Sequence, residues 1–108
     1  MLKNHKIESK IKISYFIELI RCYSKHNIFC TDHTFFRLSE NQRKLFKCEH
    51  LKELLLNEIP LIAGIQLNKR YTAIYEYKKD LIRIVMSLHL ENIEIVTFYI
   101  IKKKPRIK

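Results

Sequence analysis

Several residues and motifs that would identify common enzyme folds are missing from this chain of 108 residues. It contains one glycine, Gly64, two prolines and no tryptophan. Loops that hold nucleotide phosphates need several glycines, because the backbone must approach the phosphate closely. The G-x-S-x-G elbow of many acyl-transfer enzymes needs two glycines. The sequence therefore argues against both classes.

The chain also lacks a long apolar run. No segment approaches the ~20 apolar residues that a transmembrane helix requires, and the charged start is not followed by an apolar segment of signal-peptide length. The cysteines Cys22, Cys30 and Cys48 are odd in number and have no CxxC spacing, which favours reduced core thiols over a disulfide framework. We therefore expect one domain in the cytoplasm, with no membrane contact.

Metal-ligating residues occur in this sequence without the spacing of a metal site. His26, Cys30, His33, Cys48 and His50 lie within 25 positions. Cys30 and His33 are separated by two residues, but Cys48 and His50 on a helix would point apart, and no HxxxH pair is present. The sequence predicts no metal and no other cofactor.

The charge is strongly positive and uneven. The net charge is +10, and residues 60–108 carry ten basic and four acidic groups, against six and two in residues 1–27 and five and five in residues 28–59. A basic surface of this kind is expected of a protein that binds a polyanion. The alternative is a lysine-rich composition without functional meaning.

Helical periodicity covers residues 13–58. The stripe that begins Ile13, Phe16, Ile17 predicts a first helix that ends at His26 and Asn27. A second helix is expected to begin at His33, and a third runs from residue 45 to 58, where the approach of Pro60 stops the pattern. Residues 1–12 are expected to be partly ordered.

Strand-forming residues dominate the second half of the chain. Four runs rich in β-branched and aromatic residues span 60–68, 71–78, 81–90 and 93–102, and the short polar breaks between them permit only hairpins. The predicted fold class is therefore α+β, with two to three N-terminal helices on one face of a four-stranded antiparallel meander. Residues 103–108 form a basic tail.

Turns at Lys79-Asp80 and Glu91-Asn92 would fix the strand register and therefore the two faces of the sheet. One face is then almost entirely apolar, and we expect the helices to pack there. The opposite face would stay open, and we expect function on it. Its side chains would be Thr72, Ile74, Glu76, Arg83, Val85, Ser87, His89, Glu94, Phe98 and Lys102.

Two pairs of residues on this scaffold could support chemistry. Glu76 and Arg83 become cross-strand neighbours, which suits a general base beside a phosphate clamp, although a simple ion pair would look the same. His33 and Arg37 lie four positions apart on one helical face, which suits proton transfer or phosphate orientation. The alternative for this second pair is that it ties the helix to Thr97 or Tyr99.

The helix start 33-HTFFRL-38 and the last strand 95-IVTFY-99 resemble a family of small domains grouped with the RelE/ParE-like toxins. His33, Arg37, Thr97 and Tyr99 match that pattern, and Phe98 replaces the usual valine. The resemblance implies a metal-independent ribonuclease or an RNA-binding toxin that an antitoxin protein silences. In such enzymes the RNA 2′-hydroxyl attacks the adjacent phosphate.

These arguments define two sets of candidate residues. The catalytic candidates are His33, Arg37, Glu76, Arg83 and Tyr99. The candidate nucleic-acid-binding residues are Lys69, Arg70, Arg83, Lys102, Lys103, Lys104 and Arg106. The alternative function is a non-catalytic basic module that binds nucleic acid or protein, and a homodimer formed through an exposed end strand is a further alternative.

Overall fold

The computed structural model describes residues 7–31, 34, 47–78 and 80–101 of the chain. Within these ranges, two α-helices pack on one face of a six-stranded mixed sheet with the strand order β1-β3-β4-β5-β6-β2. The elements are β1 (Ile7–Lys10), α1 (Ile13–Arg21), a 3-10 turn (Lys25–Asn27), β2 (Ile28–Cys30), α2 (Cys48–Asn57), β3 (Ile62–Gln66), β4 (Tyr71–Tyr77), β5 (Asp80–Leu88) and β6 (Ile93–Ile101).

The predicted fold class, a four-stranded antiparallel meander under two to three helices, is wrong. The four predicted strands correspond to β3 to β6, but these form only the middle of the sheet. On one side β1 pairs antiparallel with β3, and on the other β2 pairs parallel with β6. Both added strands are very short, so neither has the apolar run by which a strand is recognised in sequence.

The two helices are shorter than their sequence patterns. The first ends at Arg21, and Lys25–Asn27 form a separate 3-10 turn where continued helix was predicted. The last predicted helix begins at Cys48 instead of residue 45 and ends at Asn57, before Pro60. The helix predicted from His33 falls outside the described residues.

The core lies between the helices and one face of the sheet. Phe16 and Ile20 of α1 are completely buried in it, together with Leu51 of α2. The strand residues of the same cluster are Ile28, Ala63, Ala73, Tyr75, Ile82, Ile84, Met86, Ile93, Ile95 and Phe98. Burial of this apolar surface provides the main stabilisation of the fold.

Gly64 permits a close approach between β1 and β3. A Cβ atom at this position would lie 2.7 Å from Ile7 Cγ2 and 2.8 Å from the Ser9 carbonyl oxygen. Both distances are far shorter than van der Waals contact, and one of the two atoms belongs to the backbone. The only glycine of the chain therefore allows the N-terminal strand to cover the edge of β3.

The β4–β5 hairpin differs from its predicted register by two residues. Tyr77 pairs with Asp80, so the turn lies at residues 78 and 79 and not at Lys79-Asp80. Lys78 adopts a positive φ of 56° in this turn. Because the shift is even, every side chain of β4 and β5 keeps its predicted face.

The β5–β6 hairpin contains a bulge that the predicted register lacks. Val85 pairs with Thr97 but Met86 pairs with Ile95, so β6 has one extra residue, Val96, at this point. Beyond the bulge the faces are exchanged relative to the prediction. Phe98 lies in the core, and Thr97 and Tyr99 lie on the opposite face of the sheet.

The face predicted to be open is buried along its middle strands. Arg83 is only 2% exposed, and its neighbours Thr72, Leu81 and Val85 are buried as well. The prediction assumed that polar side chains on this face must reach solvent. Arg83 and Thr72 instead hydrogen-bond to one another inside the protein.

Cys30 and Cys48 form a disulfide, so the prediction of reduced core thiols is wrong for this pair. Their Cα atoms are 6.1 Å apart, and the bond joins the end of β2 to the first residue of α2. Eighteen positions separate them in the sequence, so the bond could not be recognised from a local cysteine motif. Cys22 remains a free and exposed thiol.

Candidate nucleic-acid interface

A buried polar cluster surrounds Arg83 on the face of the sheet opposite the helices. The Arg83 Nε atom donates a hydrogen bond to Thr72 Oγ1 (3.0 Å), and Nη2 donates one to Gln66 Oε1 (2.9 Å). The Thr72 hydroxyl donates in turn to the carbonyl oxygen of Ile84 (3.1 Å). Neighbouring strands thus supply each partner, and the guanidinium is held in a fixed orientation.

Tyr99 contributes to the surroundings of this guanidinium. It is the cross-strand partner of Arg83 on β6. Burial lowers the pKa of Arg83, and the electrostatic influence of Tyr99 opposes that shift. Because an arginine pKa starts far above neutrality, the group remains a cation. The bulge therefore brings two of the five catalytic candidates together.

Thr97 adds an unsatisfied hydroxyl to the same face. Its Oγ1 atom is buried and makes no hydrogen bond within the described part of the chain. The residue lies opposite Val85 and two positions from Tyr99. A buried hydroxyl without a partner costs stability, so this position is suboptimal for folding.

The predicted cross-strand pair of Glu76 and Arg83 is wrong. Glu76 pairs with Leu81, and Arg83 pairs with Ile74, so the two residues are diagonal neighbours on one face. The two-residue shift of the turn causes this separation. Glu76 is exposed, whereas Arg83 is directed along the sheet toward β3 through Gln66. Within the described residues, the pair therefore lacks the direct cross-strand arrangement that the sequence predicted.

Glu76 instead lies at the rim of a cleft of about 420 Å³ between α2 and the β4–β5 turn. The cleft is lined by His50, Glu53, Leu54, Asn57, Glu58, Glu76, Tyr77 and Lys78. Three carboxylates dominate this lining, so its potential is unfavourable for a phosphate group. His50 presents Nε2 as its remaining nitrogen, because Nδ1 accepts a hydrogen bond from the Lys47 backbone N–H (3.0 Å).

Cations near the start of α2 are neutralised by neighbouring carboxylates. The ammonium group of Lys25 lies 2.9 Å from Glu49 and 3.2 Å from Glu53. The hydrogen bond to Glu49 raises the pKa of Lys25, and the same bond lowers the pKa of Glu49. Lys52 lies 3.4 Å from a Glu49 oxygen. This surface is poorly suited to a polyanion.

Two of the nucleic-acid-binding candidates lie in the β3–β4 turn. The side chain of Lys69 is 79% exposed, and its ammonium lies 3.4 Å from Glu8. Arg70 is half-buried, and its backbone N–H donates to Asn68 Oδ1 (3.1 Å). Of the three candidates that the structure describes, Lys69 is therefore the most accessible, and Arg83 is almost completely buried.

The net charge divides sharply between two parts of the chain. The described residues carry ten basic and nine acidic side chains, whereas the remaining residues carry eleven basic and two acidic ones. Nearly all of the positive excess therefore belongs to residues 1–6, 35–46 and 102–108. The described residues are thus close to neutral, and residues 102–108 alone carry a net charge of +5.

Six candidate residues lie outside the described residues, so their predicted roles stay predictions. They are His33, Arg37, Lys102, Lys103, Lys104 and Arg106. Within the ranges that the structure describes, no three His, Cys, Asp or Glu side chains converge on a point that could hold a metal ion. In the same ranges no helix is long and apolar enough to span a membrane.

Sequence reasoning missed Gln66 as a member of the Arg83 cluster. The alternation of Ile62, Gly64 and Gln66 along β3 could have placed this amide on the face of Thr72, since side chains two apart point the same way. Thr72 was assigned to the correct face but was not expected to bond Arg83. The alternation of residues along a strand predicts the face of the sheet on which a side chain lies, but it does not predict the hydrogen-bond partner of that side chain.

Comparison of the chain with protein-family models, with curated proteins and with solved structures gave no match.

Proposed function

We propose that this chain is an RNA-binding protein of the toxin-like kind suggested by its resemblance to RelE/ParE-like toxins. The observation that carries the proposal is the net charge of +10, half of which falls in residues 102–108. In the tail, the basic residues Lys102, Lys103, Lys104 and Arg106 fall within five positions. Phosphate contacts by such a segment supply most of the affinity in non-specific binding.

The described scaffold supports this assignment at the sheet end where β6 terminates. Ile101 pairs with Leu81, which follows the β4–β5 turn closely in sequence. Lys78 in that turn is exposed. The last described residue of β6 therefore lies beside a turn that carries a cation. Lys69 and Arg70 lie at the opposite end of the same sheet, where β3 ends and β4 begins.

Cleavage of the bound RNA is the second part of the proposal, and it rests on other residues. His33, Arg37, Glu76 and Tyr99 are its candidates for proton transfer and charge stabilisation, with no metal ion. Arg83 is assigned a supporting role, because it is buried and already bonds Gln66 and Thr72. The same burial favours a binding module without catalysis as the alternative function.

The proposal also concerns location and partners. A protein that acts on RNA in this way would work in the cytoplasm, and a toxin would be held inactive there by an antitoxin protein. The edge strands β1 and β2 are each paired with one neighbour in the described sheet. An edge strand of this kind can pair with a segment of a partner or with a second copy of the chain.

Binding is tested by titrating the full chain into a labelled single-stranded RNA at several salt concentrations. We expect affinity to fall steeply with salt, because each phosphate contact contributes about 0.7 to the slope of log K against log salt. Lys103→Gln with Lys104→Gln should reduce the slope by about 1.4. The matched control is Lys25→Gln with Lys52→Gln, which removes two cations already paired with carboxylates. Equal losses in both double variants would contradict the proposal.

Cleavage is tested separately with the same RNA and a chelator present. We expect wild-type protein to shorten the RNA, and Arg37→Ala to abolish shortening while binding persists. If RNA stays intact with wild-type protein at every pH and salt concentration while binding is strong, the catalytic part is wrong and the binding module stands.

A further inference from the structure

We propose that Cys30 and Cys48 form a reversible dithiol–disulfide pair that exchanges with a low-molecular-weight thiol such as glutathione. Its redox state would control how firmly the sheet edge is attached to α2. This inference goes beyond RNA binding and does not depend on it. Two observations carry it: the position of the bond in the fold and the partial exposure of its two cysteines.

The bond joins a strand at the edge of the sheet to the start of a helix. Cys30 is the last residue of β2, a strand of three residues that pairs with β6 alone within the described sheet. Cys48 is the first residue of the ten-residue helix α2. The core is formed by other residues of these elements, such as Ile28 and Leu51. The disulfide is thus a peripheral tie whose loss leaves the core intact.

Both cysteines are accessible to a small thiol. Each is half-buried, in contrast to Ile28 and Leu51, which are completely buried. Cys48 also follows the N-cap residue Lys47, so it is the first residue of α2, at the end of the helix where the backbone N–H groups carry partial positive charge. Such N–H groups stabilise a thiolate, and a stabilised thiolate is a better leaving group in thiol–disulfide exchange.

The exchange balances with two equivalents of the small thiol. One thiolate attacks the Cys30 sulfur, the S–S bond breaks, and Cys48 leaves as a thiolate. A second thiolate then attacks the small-molecule sulfur of the mixed disulfide and releases Cys30. The two small thiols are oxidised to their disulfide, the protein gains two electrons, and both cysteine sulfurs can take up protons. The reverse sequence uses the small disulfide as the oxidant.

The structure indicates what reduction would change. The oxidised bond closes a loop with 17 residues between the cysteines, and closure of such a loop favours folding by about 100-fold. After reduction, β2 keeps the hydrogen bond from the Thr31 N–H to the Ile95 carbonyl (3.0 Å) and that from the Thr31 hydroxyl to Val96 (3.2 Å). We therefore expect the edge to open more often without leaving the sheet.

The test uses the full chain with Cys22→Ser, so that only this pair can react. The protein is equilibrated with glutathione and its disulfide at varied ratios, acid-quenched, and its free thiols are counted by mass after alkylation. We expect half-oxidation within the glutathione range of living cells. Oxidation at no ratio, or full retention of the disulfide in about 10 mM reduced glutathione under native conditions, would overturn the proposal.

Amide hydrogen exchange measures how reduction of the disulfide changes the opening of the sheet edge, and it needs no RNA. The Thr31 N–H should exchange about tenfold faster in the reduced form, while amides of β5 should not change. Cys30→Ser should exchange at the reduced rate in every buffer. Equal Thr31 exchange in the oxidised and reduced forms would refute the control of the edge. Loss of RNA binding in other experiments would have no effect on either result.

Discussion

The two hairpins that share β5 both differ from their predicted registers, but only one of the two differences moves side chains to the other face of the sheet. In the β4–β5 hairpin the turn lies two residues from its predicted position, and every side chain still occupies its predicted face. In the β5–β6 hairpin a single extra residue, Val96, exchanges the faces of everything that follows. The parity of a shift therefore matters more than its size, because side chains alternate along a strand.

The bulge also determines what each face can contain. With it, Ile95 and Phe98 both reach the core although they are three positions apart. Tyr99 is thereby placed opposite Arg83. Without it, the aromatic ring of Phe98 would lie beside the guanidinium cluster, and the Tyr99 hydroxyl would enter an apolar core. The extra residue thus separates apolar from polar groups.

The largest expected effect comes from testing this exchange of faces directly. Phe98→Ala should destabilise the protein by about 3–5 kcal/mol, because it leaves a cavity in the core. Tyr99→Ala should cost clearly less, because Tyr99 is only half-buried. Urea unfolding followed by circular dichroism measures both. If Tyr99→Ala destabilised the protein more than Phe98→Ala, the register without the bulge would be the correct one.

A smaller effect is expected at Arg83, which the β4–β5 register places beside its partners. Arg83→Met should cost about 2–4 kcal/mol, because Gln66 Oε1 and Thr72 Oγ1 lose a charged donor inside the protein. Combining it with Gln66→Leu should cost less than the sum of the single changes, since the amide is then no longer left unpaired. If the two losses of stability were simply additive, the hydrogen bond between Arg83 and Gln66 would contribute nothing to stability.

Tyr75, whose face is the same in both registers, should give the smallest effect and one of opposite sign. Its hydroxyl is buried and makes no hydrogen bond among the described residues, so Tyr75→Phe should stabilise by about 1 kcal/mol. Burial raises the pKa of Tyr75 above its ordinary value near 10. Wild-type stability should therefore hold below pH 10 and fall above it, where only the unfolded chain ionises.

The measurement for Tyr75 is the free energy of unfolding at pH 8 and at pH 11 for both proteins. The difference between wild type and Tyr75→Phe should grow at the higher pH, because phenylalanine cannot ionise. An unchanged difference would mean that the hydroxyl ionises equally in the folded and unfolded chains.

The sequence predicted the elements that have their own periodicity. The β-branched runs of β3 to β6 and the apolar spacing of Leu51, Leu54 and Leu55 in α2 are local signals. The strands β1 and β2 carry no such signal, because they are short and depend on their neighbours. The bulge at Val96 and the bond between Cys30 and Cys48 are decided by tertiary packing, which single-sequence patterns do not contain.

The candidate site residues likewise differ in how much of their environment the sequence could predict. Lys69 falls in the break between two predicted strands, and its side chain is exposed, but its role in RNA binding stays a prediction. The environment of Arg83 could not be predicted, because it depends on Gln66, which is 17 positions away. An arginine flanked by isoleucines on a central strand indicates that its guanidinium is hydrogen-bonded inside the protein.

Gly64 has a consequence for the edge of the sheet at β3. A methyl group there would push β1 away from β3, because the Ser9 backbone cannot move aside cheaply. The strand Ile62–Gln66 would then display unpaired N–H and C=O groups along its whole length. Such an uncovered edge recruits strands from other molecules, so we expect substitution of this one glycine to promote aggregates and fibrils before it unfolds the chain.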